Sequence, residues 1–340
     1  MVNPHPPRTN RFAAAMHKLS SCVGFTKGYN FALWFIFSGA LLGFCLARLM
    51  YLDFKGVFCA TENPDPRNHA AAGECYWYQS RTVYDVGIKL HLYTIIPAGI
   101  LACIQFVPVI RHKLILVHRI NGYITILITL LGVTGAIMIA PVSFGGGLDV
   151  QSSVGVLAIM VVGSLALAYY NVKRLQIEQH RAWMLRAWFY AGCIITVRLI
   201  MNVSAIVISD PGKPYFQPKL CRELATLFNS TALTNSYPDC TSLDAWVLVK
   251  ADLYLESPAN QSAALDRTFG MATWVAIAIH AIGIEIYLHL TPAEAHRLRN
   301  ISYQRQLEAG LKSPGKSGTT ADSIGDAERW VPTGEMAAED

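Results

Sequence analysis

Gln179-His180-Arg181-Ala182-Trp183-Met184-Leu185-Arg186 opens an apolar run that continues to Ile208. The run is long enough to cross a hydrocarbon core, which needs ~20 residues. A second stretch repeats the design: Val117-His118-Arg119-Ile120-Asn121-Gly122-Tyr123 opens an apolar run that ends near Ala140. In both places a His-Arg pair stands where a hydrophobic helix leaves a basic loop. Ionisable groups at that depth are costly, and by default they mark function.

Working outward, six apolar runs of membrane-spanning length stand at residues 30–51, 87–109, 119–141, 152–171, 184–208 and 268–290. With 53% hydrophobic and only 15% charged residues, the chain does not read as a soluble globular domain. The fold class expected is all-α, a polytopic membrane helix bundle of six transmembrane helices. Its organisation is a basic tail (1–29), a membrane domain (30–290) with outer loops at 52–86, 142–151 and 209–267, and a second tail (291–340). That tail starts a helix at Thr291-Pro292, with Thr as N-cap and Pro at N1, and turns Gly/Ser/Thr-rich and disordered after Leu311.

Lys and Arg beside span ends stay cytoplasmic. Arg8, Arg11, Lys18 and Lys27, Arg111-His112-Lys113 and Lys173-Arg174 therefore place both termini and both His-Arg boxes on that side. The first span, preceded by a polar tail, reads as an uncleaved anchor of a secretory-pathway or plasma-membrane protein. Cys59 and Cys75 share the first outer loop, and Cys221 and Cys240 share the large one. One disulfide per loop is the simple pairing, although four cysteines permit three connectivities. Cys22, Cys45, Cys103 and Cys193 read as free. Sequons at Asn229 and Asn260 also fall in the large outer loop, making this an expected glycoprotein, whereas Asn202 and Asn300 lie in a span and an inner tail. The large loop is too long to be structureless, and a disulfide-tied cap with a helix around Ser242–Tyr254 is expected.

Within the spans, polar groups recur at helical spacing. His91 and Gln105 fall on one face of the second span. Gly122, Thr125, Thr129 and Gly132 line a stripe behind His118, suited to close helix packing or to a flat ligand. Arg198 follows His180 by 18 residues, about five turns at ~3.6 residues each, so the two share a face of an unbroken helix. His280 lies near the middle of the last span with Glu285 beyond it, and Glu285 is the natural buried partner for Arg198.

The two boxes, His118-Arg-Ile-Asn-Gly-Tyr123 and His180-Arg-Ala-Trp-Met-Leu-Arg186 with the later Arg198, resemble a family of multi-span membrane proteins known as domain of unknown function 2306. Its pattern has a His-Arg-x-x-Gly-Arg box on one helix and a His-Arg-x-Trp-Met-x-Arg box on another. The likeness covers about residues 87–205. Tyr123 stands where the family often has arginine, which weakens anion binding at that point. The resemblance implies the bundle fold and leaves the activity open.

Three chemistries suit these residues. The sharpest is a membrane oxidoreductase holding haem b, with His118 and His180 as metal ligands, Arg119, Arg181 and Arg111 for the propionates, Arg198 as a further cofactor-binding candidate, and His91 and His280 as a candidate second pair. A membrane or cytoplasmic electron donor would be its partner. The second is a transporter or channel with a polar path through His91, Gln105, Arg198, His280 and Glu285. The third is a non-catalytic accessory protein whose His-Arg pairs meet lipid phosphates. No Walker loop, Gly-x-Gly-x-x-Gly turn, His-Glu-x-x-His or Gly-x-Ser-x-Gly motif occurs. The net charge of +5 sits mainly in inner loops and does not argue for nucleic acid.

Overall fold

The computed structural model describes residues 18, 20–25, 27–60 and 69–332. Arg8 and Arg11, the rest of the first 17 residues and Pro64-Asp-Pro66 lie outside the described residues. Among the described residues, six helices are long and apolar enough to cross a membrane: Gly28–Leu52, Thr82–Gln105, Ile115–Ile139, Leu148–Lys173, Ile177–Ile208 and Pro258–His289. The protein is thus an all-α, multi-pass membrane bundle. A helix satisfies its own backbone groups, which makes it the form an apolar run adopts in lipid.

In chain order the elements are α1 (Gly28–Arg48), α2 (Glu74–Ser80), α3 (Thr82–Gln105), α4 (Pro108–Lys113), α5 (Ile115–Ile139), α6 (Leu148–Lys173), α7 (Ile177–Ala191) and α8 (Cys193–Ile208). Then come β1 (Phe216–Leu220), α9 (Cys221–Leu224), α10 (Ser230–Ser236), β2 (Trp246–Lys250), α11 (Pro258–His289), α12 (Pro292–Glu308) and α13 (Ala321–Ile324). They form two compact units, residues 1–69 with 89–135 and residues 70–88 with 136–340.

In the first unit, α1, α3 and α5 pack through small residues and a few polar bonds. A Cβ on Gly99 would strike Cys45 Sγ, and one on Gly132 would come within 2.9 Å of Thr94 Oγ1 and 3.2 Å of Ile95. Thr125 and Thr129 are buried and donate to carbonyls of their own helix. The Gly122–Thr125–Thr129–Gly132 stripe is therefore a helix-packing seam with α3. It leaves no room there for the flat ligand the spacing also allowed.

In the second unit, Val150, Cys193, Val197, Met201, Phe269, Ala272, Ala276 and Ile277 form the core where α6, α8 and α11 meet. The fifth span is not one unbroken helix, because α7 ends at Ala191 and α8 begins at Cys193, with Gly192 between them. Above α8 and α11 sits a cap built on the antiparallel pair β1–β2, in register from Phe216 opposite Lys250 to Leu220 opposite Trp246. The helix expected around Ser242–Tyr254 is replaced by β2. Trp246-Val-Leu-Val-Lys alternates exposed and buried side chains with two β-branched residues, which is a strand pattern. A disulfide joins Cys221 to Cys240, and Cys59 and Cys75 are also disulfide-bonded. Cys22, Cys45, Cys103 and Cys193 are free thiols.

Residues 312–332 of the tail, expected to be disordered, fold back on this unit. Thr319 N donates to Asn171 Oδ1 and Asn171 Nδ2 donates to Thr319 Oγ1, both at 2.8 Å. Gln306 accepts from Gly315 N at 2.8 Å and donates to Arg174 O at 3.1 Å and Gln176 Oε1 at 3.0 Å. Asn171, Gln176 and Gln306 are fully buried, and buried amides need partners; the tail backbone supplies them to the Asn171 and Gln306 carbonyls, while Gln306 bonds Gln176.

Candidate functional site

The His-Arg box of the second unit lies in the first turns of α7. His180 Nδ1 faces Ala168 O at 2.9 Å. A carbonyl can only accept, so Nδ1 carries a proton in this contact. Arg181 donates to Tyr287 Oη at 3.0 Å, so α11 holds the second member of the box. Arg186 forms a bidentate pair with Glu285 at 2.6 and 2.8 Å and lies over the Trp183 ring.

That pairing corrects one expectation. Glu285 does not meet Arg198, which lies over the rings of Phe144 and Phe269 at 4.8 and 5.6 Å. Glu285 is 16 residues beyond Phe269 on α11 (285 − 269), or ~24 Å at 1.5 Å per residue, and no side chain spans that. His280 is buried, with Nδ1 facing Phe189 O at 2.6 Å and Nε2 facing the Thr196 hydroxyl at 2.8 Å. Both its nitrogens serve packing of α11 on α7 and α8, which does not fit an axial ligand.

In the first unit, His91 and Gln105 both bond to the backbone of α5. His91 Nδ1 faces Gly132 O at 2.8 Å, and Gln105 Nε2 donates to His118 O at 2.9 Å. His118 is half-buried and Arg119 is exposed. Among the described residues no group of three or more His, Cys, Asp or Glu side chains is arranged to hold a metal ion. A two-histidine axial pair falls below that count.

The second unit also holds a site that the sequence reading missed. Glu74 of α2, the turn at Ser143–Gly146, Lys219 of β1, Glu223 of α9 and Asp266 of α11 converge at one end of the unit. Lys219 Nζ donates to Glu223 Oε1 at 2.7 Å and to Asp266 Oδ2 at 2.9 Å, and all three side chains are under 5% exposed. Trp77 Nε1 donates to Glu223 Oε2 at 2.8 Å. Glu74 Oε1 accepts from the Tyr78 hydroxyl and from Phe144 N, both at 3.0 Å. The backbone bends to allow this. Gly73 takes a φ of +90°, and a Cβ there would run into the Glu223 carboxylate. Phe144 itself sits in the left-handed region (φ 46°, ψ 52°), a strain of ~1–2 kcal/mol for a side-chain-bearing residue. It is held by its ring stacked 4.0 Å from that of Phe269.

Burial pushes the Glu74 carboxyl up to about 7; the charge of Asp266 adds to this, and the Phe144 N–H, the Tyr78 hydroxyl and Arg198 oppose it. Burial works against the charge on Lys219, but Asp266 and Glu223 outweigh it and hold its proton more tightly than usual. Such a cluster can bind a cation or exchange a proton. The signal available in the sequence was the Lys219–Glu223 spacing of four and an acid near the start of the last apolar run. Both were submerged in the mixed charge of loop 209–267.

Against known proteins, the chain is 23% identical over 344 residues to Ava biosynthesis cluster protein G of Aspergillus versicolor, which covers 86% of this chain and 97% of that protein. No solved structure matches. Residues 88–217, which hold both His-Arg boxes and Arg198, match the family described as predicted membrane protein (DUF2306), the family the boxes resemble.

Proposed function

We propose that this chain is a membrane oxidoreductase that would hold b-type haem through the imidazoles of its His-Arg boxes, His118 and His180. The observation that supports it is the hold on the His180 ring. Its Nδ1 lies 2.9 Å from Ala168 O, a backbone carbonyl of the kind that orients ligating histidines generally. Bound haem would supply one-electron chemistry. Arg181, steadied by Tyr287, and Arg119 are the propionate partners on the same helices. Because both nitrogens of His280 are engaged, the reading assigns no second haem to it. The Gly/Thr stripe of α5, filled by α3, is not the seat of the ring.

The same reading keeps both termini and the boxes cytoplasmic and puts the cap in an oxidising lumen, with Asn229 glycosylated. The relative carries the name of a biosynthesis-cluster protein. A redox component of a biosynthetic pathway, fed by a membrane or cytoplasmic electron donor, is the role proposed here. The test is a reduced-minus-oxidised absorption spectrum of the detergent-purified protein beside His118→Ala and His180→Ala. The wild type should show a b-type difference spectrum that both variants lose, and a colourless, iron-free wild type overturns the reading.

A further inference from the structure

The cluster where the loops converge plays no part in haem binding and supports an inference of its own. Three carboxyls (Glu74, Glu223 and Asp266) share one end of the unit with two cations, Lys219 and Arg198, a surplus of one negative charge when all are ionised. Lys219 spends two of its three N–H donors on Glu223 Oε1 and Asp266 Oδ2. Asp266 Oδ1 is buried and has no hydrogen-bond partner. The residue lines a cavity of about 90 Å³ together with Glu74, Trp77, Lys219, Glu223 and Trp246. That is room for about three water-sized groups at ~30 Å³ each, or for one small organic cation. The indoles of Trp77 and Trp246 are stacked with centroids 6.2 Å apart on its wall, and aromatic faces favour a cation close by.

We propose that this cavity binds the ammonium end of a small primary amine, with Asp266 Oδ1 and the Glu74 carboxylate accepting its protons and the Trp77 and Trp246 indoles beside the attached carbon. One positive charge satisfies both the lone carboxylate oxygen and the charge surplus, which a neutral water does not. A proton on Glu74 is the competitor. The groups around Glu74 are Tyr78 of α2, Arg198 of α8, Lys219 of β1, Glu223 of α9 and Asp266 of α11, while the Ser143–Gly146 turn offers only hydroxyl and backbone groups. With Glu74 titrating at about 7, the amine binds more weakly as pH falls through that point, by about tenfold between pH 8 and pH 6.

The test is calorimetric titration of ethylammonium chloride into the full-length protein in detergent, against potassium chloride at equal ionic strength. Binding specific to ethylammonium at pH 8 is expected, about tenfold weaker at pH 6 and at least tenfold weaker in Asp266→Asn. Trp246 is 60% exposed, so Trp246→Ala should fold even if the aspartate variant does not, and it should bind several-fold more weakly. Absence of ethylammonium-specific binding to the folded wild type at both pH values overturns the proposal, and so does wild-type affinity in Trp246→Ala.

Discussion

Lys219 is an ammonium enclosed by two carboxylates, and removing it leaves two buried negative charges unmatched. Breaking a buried pair from one side costs ~3–5 kcal/mol, so Lys219→Met should lower the unfolding midpoint markedly; a loss within ~0.5 kcal/mol would mean that water already screens the cluster. Glu74 makes the opposite demand. Its carboxyl is raised from 4.5 to about 7 in the folded chain, so the folded state holds a proton that the unfolded state has released. Its contribution is full below about 4.5 and is lost as pH rises through about 7, with ~1.4 kcal/mol per pH unit between them as the upper bound. Glu74→Gln mimics the protonated carboxyl and should flatten the fall in thermal stability from pH 5 to pH 8. An unchanged pH profile would place the titration elsewhere. Of these residues the sequence disclosed the histidines and arginines, because they stand out against apolar runs. Glu74, Lys219 and Asp266 were hidden because the contacts that complete the cluster, Lys219 with Asp266 and Asp266 with Glu74, join residues 47 and 192 positions apart in the chain (266 − 219 and 266 − 74).

At the scale of elements, the apolar runs were legible because a membrane helix needs only length and composition. Their ends were not. The last span begins at Pro258, ten residues before the apolar run at 268, because its first turns are buried under the cap by Ala259, Ala263 and Ala264 instead of by lipid. The face shared by His180 and Arg198 assumed one regular helix, and the span is instead two helices that meet at Gly192, whose angles stay right-handed helical (φ −69°, ψ −10°). The cap depends on the Cys221–Cys240 link, which closes a loop of 19 residues. Opening a loop of that size costs ~3 kcal/mol by chain entropy. Cys240→Ser should therefore make residues 221–250 susceptible to protease in native conditions while α11 stays protected. Equal protection of the cap in variant and wild type would show that β1–β2 pairing suffices without the bridge.

For the whole molecule, the number of spans and which four cysteines are oxidised followed from the chain, because topology and redox chemistry constrain each other. The folded tail did not, since its Gly/Ser/Thr composition looks like linker and its partner Asn171 sits in α6, far upstream. Sidedness is checked at the sequons. Asn229 is exposed and caps α10, whereas the Asn260 amide nitrogen donates to Lys250 O at 2.8 Å. Asn229→Gln should remove the mobility shift given by glycosidase treatment, and Asn260→Gln should leave it in place; a shift that survives Asn229→Gln contradicts the assignment. The haem pocket is tested most directly by low-temperature electron paramagnetic resonance of the purified ferric protein. The account predicts a low-spin bis-imidazole signal of about one per chain, lost in His180→Ala and kept in Asp266→Asn. A preparation with no ferric signal, or a signal untouched by His180→Ala, contradicts it.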